Sequence, residues 1–484
     1  MGYTYDIIIL GCGPAGFSAA MQSSKFDKKV LVIEANMEYL GGAWISSGTV
    51  PSTSLREATR VIKKYRAQFG TINGEKPHEQ YKMADLLHYK DQVLEKKNNK
   101  VLNNLEKNQV DLVRGYGCIQ DGHSIEVTLQ DGSKETYTAE FILISTGASP
   151  IQPTAFEVDH KVILDYESII KLQHIPSRLV IIGGGTNAIE YATTFVALGT
   201  RVSILNENEI FLDFLDSDIR DVMVEIIDEQ DVDVRNGVTN IDISENELRS
   251  TTEVRYNHMD SSDTHLIETE YVLYLGGKKP NTENIGLQNI DIPTNEEGVI
   301  QVDENYRTEV ESVYAVGDVI GFPALASVSF SEGRLAVCKM FGIDALEVPK
   351  QVPYGIYSIP EMSNIGLTEQ QAIDAGHDVT TGRAFYRNVT QADISNHQQG
   401  LLKLVFETKS LKILGVHIIG ERASELIHLG QAVMSFDGDI RYFINHVMNY
   451  PTYAEAYKIA AFNGLNKVYQ AGVKYKNILT DDKK

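Results

Sequence analysis

Cysteine is scarce in this chain. Its three residues, Cys12, Cys118 and Cys338, stand far apart and are odd in number, which excludes a disulfide framework and a cysteine metal cluster. Positive charge is also short: 44 Lys and Arg against 66 Asp and Glu leave a formal net charge of -22. That balance argues against a nucleic-acid groove or an anionic membrane surface as partner. Anionic ligands must then be held by local backbone dipoles and a few basic side chains. No uninterrupted apolar stretch approaches the roughly eighteen residues of a membrane span. Nothing near Met1 resembles a signal peptide, because an apolar strand and a glycine loop start at once. The expected compartment is the cytoplasm. Apolar content of 43% and charged content of 23% over 484 residues fit two or three soluble domains with full cores.

The chain does contain a repeated pattern. Tyr5 to Leu10 is a β-rich run, Gly11-Cys12-Gly13-Pro14-Ala15-Gly16 follows it, Phe17 to about Ser24 reads as helix, and Val30 to Glu34 as strand. The same order returns from Arg178: an apolar run, Gly183-Gly184-Gly185-Thr186-Asn187-Ala188, a helix to Leu198, and a strand from Val202 to Leu205. Each unit predicts two parallel strands joined by a right-handed crossover. Two such units imply two nucleotide domains. Ile125 to Thr136 alternates around Asp131-Gly132 and predicts a hairpin. Phe141 to Gly147, Val272 to Gly277 and Val313 to Asp318 read as buried strands ending in turns. From about Gln351 to Tyr469 no glycine loop recurs; short strands and helices there predict an α+β domain, and the last dozen residues a frayed tail.

Gly11, Gly13 and Gly16 have the Gly-x-Gly-x-x-Gly spacing. The first allows a tight turn, the second lets a pyrophosphate approach the backbone, and the third lets helix pack on strand. The helix start then offers free N–H groups to phosphate. Glu34 ends the next strand, where a carboxylate accepts ribose hydroxyl hydrogens. Gly183, Gly185 and Ala188 form the second site. Asn206, Glu207, Asn208 and Glu209 end its second strand. An acceptor there suits a 2′-hydroxyl, whereas a 2′-phosphate needs arginine or lysine. The expected nucleotide is NAD(H), with NADP(H) as the alternative.

These loops, Ser145-Thr146-Gly147-Ala148, Glu190, Gly277 to Thr282 and Tyr314 to Asp318 resemble the flavoprotein disulfide reductase superfamily of glutathione reductase and dihydrolipoamide dehydrogenase. The resemblance spans nearly the whole chain. Within it, Gly48 to Ser52 with Leu55 to Ala58, and Asn449-Tyr450-Pro451-Thr452 with Ala454 to Tyr457, are similar to the soluble, Si-specific pyridine nucleotide transhydrogenases. The fold implied is α/β, with two Rossmann-like dinucleotide-binding domains and a C-terminal α+β dimerisation domain. Its boundaries are residues 1–155 and 282–350 for FAD, 156–281 for the nicotinamide nucleotide, 351–470 for the homodimer interface, and a tail over 471–484. Carried over, Asp318 binds the ribityl chain of FAD and Gly117 lies beside the adenine. Glu190 sits near the nicotinamide and Gly277 touches it through backbone. The resemblance adds Pro14, Ala15, Gly42, Ala43, Trp44, Thr53, Thr146, Gly147, Asn187 and Ala326 to the cofactor-binding set.

The departures matter as much. The superfamily places a redox cysteine pair where this chain has Trp44 and Thr49, a lysine at Thr53, and a histidine at Tyr450, while Glu455 remains. Disulfide reduction is therefore not expected. Without the lysine, Glu190 is expected to have a raised pKa. Trp44 reads either as core filler or as an indole covering the flavin. His446 reads as a solvated or packed histidine. The Tyr450-Pro451 bond is expected to be cis, with Tyr450 beside the partner chain's FAD. The implied activity is hydride transfer between NAD(H) and NADP(H) through flavin N5. Two alternatives stay open: an NADH-dependent reductase of a quinone, a metal ion or oxygen, and a low-turnover flavin-binding redox sensor or assembly protein. The electron acceptor is unknown.

Overall fold

The computed structural model describes residues 2–36, 38–69, 82–246, 251–345 and 351–470; the tail expected over 471–484 lies outside them. The chain divides into two compact units. The first comprises residues 1–55, 84–172 and 276–350, the second 56–83, 173–275 and 351–484.

In the first unit, Tyr5–Leu10 runs parallel to Val30–Glu34 on one side and to the end of Lys134–Ile144 on the other. Val313–Ala315 joins that far strand, also in parallel. Ile7, Ile8, Ile9, Leu31, Val32, Ile142 and Leu143 are fully buried, as strands covered on both faces require. The hairpin at Asp131-Gly132 is present, with Ser124–Leu129 pairing antiparallel to Lys134–Thr138. Its second strand continues without a break into the buried run at Phe141, so what reads as two strands is one, Lys134–Ile144. The first half begins exposed on both faces, at residues 134–136; the second half enters the parallel sheet and ends in the buried, apolar residues 142–144. The helices Pro14–Ser24 and Ala326–Met340 pack closely, because Gly333 has no side chain: a Cβ there would lie 2.0 Å from the Ala15 carbonyl oxygen.

In the second unit, Asp233–Arg235, Arg201–Leu205, Arg178–Ile182 and Tyr271–Tyr274 lie side by side in parallel. The helix Thr186–Leu198 connects the middle two and ends at Gly199 in a left-handed conformation. Residues 354–419 form an antiparallel sheet in the strand order 354–356, 362–366, 413–419, 401–407, 379–385. The helices Ala423–Ser435 and Glu455–Gln470 cover its core of Leu402, Leu404, Phe406, Val416, Ile418 and Tyr457. Among the described residues no helix is long and apolar enough to cross a membrane.

Candidate functional site: two dinucleotide cradles

The first cradle lies at the C-terminal end of Tyr5–Leu10. Gly11 turns with φ +95°, and its carbonyl oxygen and that of Leu10 both accept the Ser145 hydroxyl at 2.9 Å. Gly13 is the N-cap of the next helix and brings no capping side chain, so first-turn N–H groups stay open to an anion. Facing it, Gly42 has φ +63°, and a Cβ on Gly42 would come within 3.1 Å of the Gly13 Cα. Two glycines thus leave a backbone-lined floor for a diphosphate.

Glu34 is 7% exposed. Its oxygens accept the Cys12 N–H and the Asn36 N–H, each at 2.8 Å. Burial raises its pKa, opposed by those backbone hydrogen bonds and by Arg114. Backbone N–H groups of Cys12, Asn36 and Ala35 thus face the carboxylate, which with about four lone-pair sites keeps room for a ribose hydroxyl. Gly117 lies where a Cβ would strike Leu10 Cδ2 at 2.5 Å, so this position needs glycine for packing. Thr146 and Asn281 clip the two returning segments together: the Thr146 hydroxyl donates to the Asn281 carbonyl at 2.8 Å, and the Asn281 amide donates to the Thr146 carbonyl at 3.0 Å. Gly147 follows with φ +73° and Gly277 has φ +103°. Asp318 is half-buried in the turn Gly317–Ile320, and Ala326 opens the helix Ala326–Met340.

Trp44 is half-buried in the short helix Ala43–Ser46. Phe330 meets it edge-on at 5.1 Å, and the Lys97 ammonium stands 5.5 Å from its ring. Thr49 is exposed. The Thr53 hydroxyl is buried without a hydrogen-bond partner among the described residues. An orphaned hydroxyl, and a glycine floor beside a buried carboxylate with acceptor capacity to spare, fit FAD.

Sequence reasoning missed Glu332. It is buried and accepts the Gly317 N–H at 2.9 Å, which fixes the turn carrying Asp318. A lone glutamate within a helix gave no signal.

The second cradle repeats the design. Gly183 has φ +130°, and Gly185 caps the helix Thr186–Leu198 without a side-chain bond. Asn187 and Ala188 lie in its first turn. Asn206 is 1% exposed and its amide is committed to the turn, donating to the Asn208 carbonyl at 3.0 Å and to Asn236 Oδ1 at 2.9 Å. Glu207 and Glu209 are exposed. Glu190 lies one turn into the helix, accepts the Tyr357 N–H at 2.7 Å, and is partly open at the helix surface. Burial pushes its pKa up to about 7 despite that hydrogen bond and the charge of Arg56. Arg56, which the sequence offers only inside the Leu55–Ala58 motif with no role of its own, is itself tied to Glu361 at 2.9 Å and the Ser358 carbonyl at 3.1 Å.

This carboxyl gives a testable sign. An unfolded glutamate ionises near 4.5 and the native Glu190 near 7, so the native state binds more protons between those values. Stability falls as pH rises through that window. Relative to Glu190→Gln, the wild type should lose on the order of 2–3 kcal/mol from pH 4.5 to 7. Urea midpoints in a pH series read this directly, and parallel curves for the two proteins would refute it.

In the C-terminal region the Tyr450-Pro451 bond is cis, as expected. Tyr450 is 69% exposed and its hydroxyl lies 2.8 Å from Thr390 Oγ1. Glu455 Oε2 is buried without a hydrogen-bond partner among the described residues. His446 is exposed and stacks on Tyr442 at 4.1 Å, a packed and solvated histidine.

Two glycine-loop parallel sheets and an antiparallel C-terminal sheet define a two-dinucleotide oxidoreductase. The chain belongs to the pyridine nucleotide-disulphide oxidoreductase family, whose model matches residues 5–333, with the family's dimerisation domain over residues 352–461. It is 36% identical over 476 residues to the soluble pyridine nucleotide transhydrogenase of Pseudomonas aeruginosa (strain LESB58), covering 96% of this chain and 99% of that protein. The protein of the same description from Azotobacter vinelandii is 37% identical over 476 residues, with the same coverage. In fold it matches the Cu(II) complex of the HOCl-induced flavoprotein disulfide reductase RclA from Escherichia coli, with TM-score 0.86, 24% identity, and 96% and 99% of the two chains covered. LpdA from Mycobacterium tuberculosis matches with TM-score 0.86 and 23% identity, over 94% and 98% of the two chains. The chain is thus an FAD- and nicotinamide-nucleotide-dependent oxidoreductase.

Proposed function

We propose that this enzyme transfers hydride between NAD(H) and NADP(H) without an active-site dithiol. The carrying observation is the pair Trp44 and Thr49, which leaves no thiol at either position where disulfide-reducing relatives carry one. Of the three cysteines, Cys12 and Cys338 are buried and Cys118 lies within a strand. Bound FAD supplies the two-electron hydride acceptor and donor. The chain's own residues bind and orient: the Gly13–Gly42 floor and Glu34 hold the flavin nucleotide, and Gly183, Gly185 and Asn187 hold the second dinucleotide. Glu190 closes on the nicotinamide and is poised to hold a proton near neutrality.

Glutathione disulfide and dihydrolipoamide should show no turnover above background, and reductive titration should consume two electrons per FAD. Uptake of four electrons would reveal a redox-active cysteine pair and end this reading.

The alternative is an NADH-dependent reductase of a quinone, a metal ion or oxygen, favoured by the acidic turn at Glu207 and Glu209. A 2′-phosphate left unpaired there costs about 1–3 kcal/mol, roughly ten- to a hundredfold in affinity. Stopped-flow flavin bleaching should therefore be faster with NADH than with NADPH at low concentration. Transfer from NADH to NADP⁺, or its absence with rapid quinone or oxygen reduction, then decides between the two. We place the enzyme in the cytoplasm as a homodimer. The exposed Val447 and Tyr450 face the partner, with Tyr450 reaching its FAD. A phenol is a poor base at neutral pH, so Tyr450→Phe keeps most activity.

A further inference from the structure

Residues 357–361 form a strap held from two sides, all of it within the second unit. On one side stands the helix Thr186–Leu198. Glu190 accepts the Tyr357 N–H at 2.7 Å, and the Thr193 hydroxyl accepts the Ile359 N–H at 3.0 Å. Glu190 and Thr193 lie three positions apart and share a helix face. The other partner is Arg56. Its Nε donates to the Ser358 carbonyl at 3.1 Å and its Nη2 to Glu361 Oε1 at 2.9 Å. Glu361 Oε2 in turn accepts the Ser424 hydroxyl at 2.6 Å and the Ser424 N–H at 3.2 Å. One guanidinium thus spans the strap from residue 358 to residue 361, and residue 358 lies between the two whose N–H groups reach the helix.

Arg56 is 5% exposed and Ser358 is fully buried. An arginine this deep is a poor way to add stability alone. Removing two charges from water offsets most of their attraction, and well-packed apolar side chains stabilise a fold about as well. What the guanidinium adds is direction: its planar fork has fixed donor angles and so sets where the strap lies. The strap matters because of Glu190. Among the described residues, the Tyr357 N–H makes the sole hydrogen bond to its carboxyl. The position of that N–H therefore sets how the carboxyl points.

We propose that Arg56 is a positioning residue for hydride transfer: it fixes the strap whose Tyr357 N–H aims the Glu190 carboxyl at the nicotinamide. This rests on the reading of Glu190 as the residue beside the nicotinamide. A carboxyl off its aim leaves the nicotinamide badly seated, which slows transfer. The dinucleotide is not released, because its diphosphate is held at the glycine loop.

The test uses Arg56→Lys holoenzyme, which keeps the charge and loses the fork. Stopped-flow reduction by NADH should show a limiting rate about tenfold lower than that of the wild type. The NAD⁺ dissociation constant of the oxidised holoenzyme, measured by calorimetry, should stay within about threefold. The change in flavin absorbance that a stacked nicotinamide causes should shrink. In a Glu190→Ala background, Arg56→Lys should slow reduction by less than about twofold more, because its route runs through the carboxyl. Glu361→Gln weakens the anchor without removing it; it should give the same pattern at smaller size, and it serves if Arg56→Lys does not fold. An unchanged limiting rate, a full tenfold fall in the Glu190→Ala background, or failure of both variants to fold overturns the assignment and leaves Arg56 a structural fastener. A Glu190→Ala variant that reduces flavin as fast as the wild type instead overturns the underlying reading of Glu190, as does a wild type that binds no NAD⁺.

Discussion

Replacing Gly16 by alanine should yield protein with less than about a tenth of the wild-type flavin content. A Cβ at this position would lie 1.9 Å from the Gly11 carbonyl oxygen and 2.6 Å from Ser145 Oγ. The first of these atoms is backbone in the tight turn and is itself held by the Ser145 hydroxyl. No rotamer change relieves the clash, so the helix Pro14–Ser24 must lift from its strand. That movement displaces Gly13 and the free N–H groups of the first turn, and overpacking of this kind costs about 1–3 kcal/mol or more before any ligand contact is lost. Gly132→Ala is the control. It has φ +83° but nothing within 4 Å of the added Cβ, so it strains only its own turn, by about 1 kcal/mol, and should keep its flavin. Absorbance of the purified proteins at the flavin band, against protein concentration, gives the answer. Full flavin content in Gly16→Ala would show that the first loop does not carry the cofactor.

The second loop supplies a contrast. At Gly184 the added Cβ would lie 1.9 Å from Asn206 Oδ1, a side-chain atom rather than backbone. The amide can move only by leaving its partners Asn208 and Asn236. Damage there should fall on nicotinamide nucleotide affinity and spare the flavin.

The parts that were legible in the sequence are those whose physics is local. Both glycine loops, their strands, and Glu34 at a strand end follow from turn geometry and period, and each stands where the pattern put it. The single strand Lys134–Ile144 was read as two because its environment changes midway, from an exposed hairpin to a doubly covered sheet. The roles of Glu332 and Arg56 were illegible for a different reason, although Arg56 stands inside the Leu55–Ala58 motif. Their roles come from partners distant in sequence, such as Glu361, which pairs with Arg56 across 305 positions, and no period or spacing encodes such a meeting. Asn206 shows a third limit: its residue type announces an acceptor, but only the structure reveals that its amide is turned into its own loop. The substitutions at Trp44, Thr49 and Thr53 were read by comparison with a familiar pattern, and the orphaned Thr53 hydroxyl is the part that only the fold could add.

Lys403→Met should be the most destabilising single change in the second unit, lowering its unfolding midpoint by roughly 10 °C. In the strand Leu401–Glu407 this lysine stands among apolar residues, and it is fully buried. Its ammonium is bound by Asp216 at 2.7 Å, by Glu369 at 2.7 Å, and by Asp218. Burial alone would lower its pKa, but the three carboxylates hold it above the usual lysine value. Arg383 bridges Asp218 at 2.6 Å and Glu369 at 3.2 Å, so two cations face three anions and one negative charge is left in excess. Asp216 is also the N-cap of the helix Ser217–Asp228 and accepts the Glu369 N–H at 3.0 Å. The cluster thereby joins the helix Ser217–Asp228 to the antiparallel sheet within one compact unit. Methionine replaces the volume but leaves three buried or half-buried carboxylates to share one arginine, and breaking a buried ion pair from one side costs about 3–5 kcal/mol. Adding Asp218→Asn removes one uncompensated charge, so the double variant should recover part of the loss. Thermal unfolding of the wild type, the single variant and the double variant completes the cycle. A midpoint within a few degrees of the wild type for Lys403→Met would mean that the carboxylates take up protons or water at little cost, and that packing rather than charge holds this helix on the antiparallel sheet.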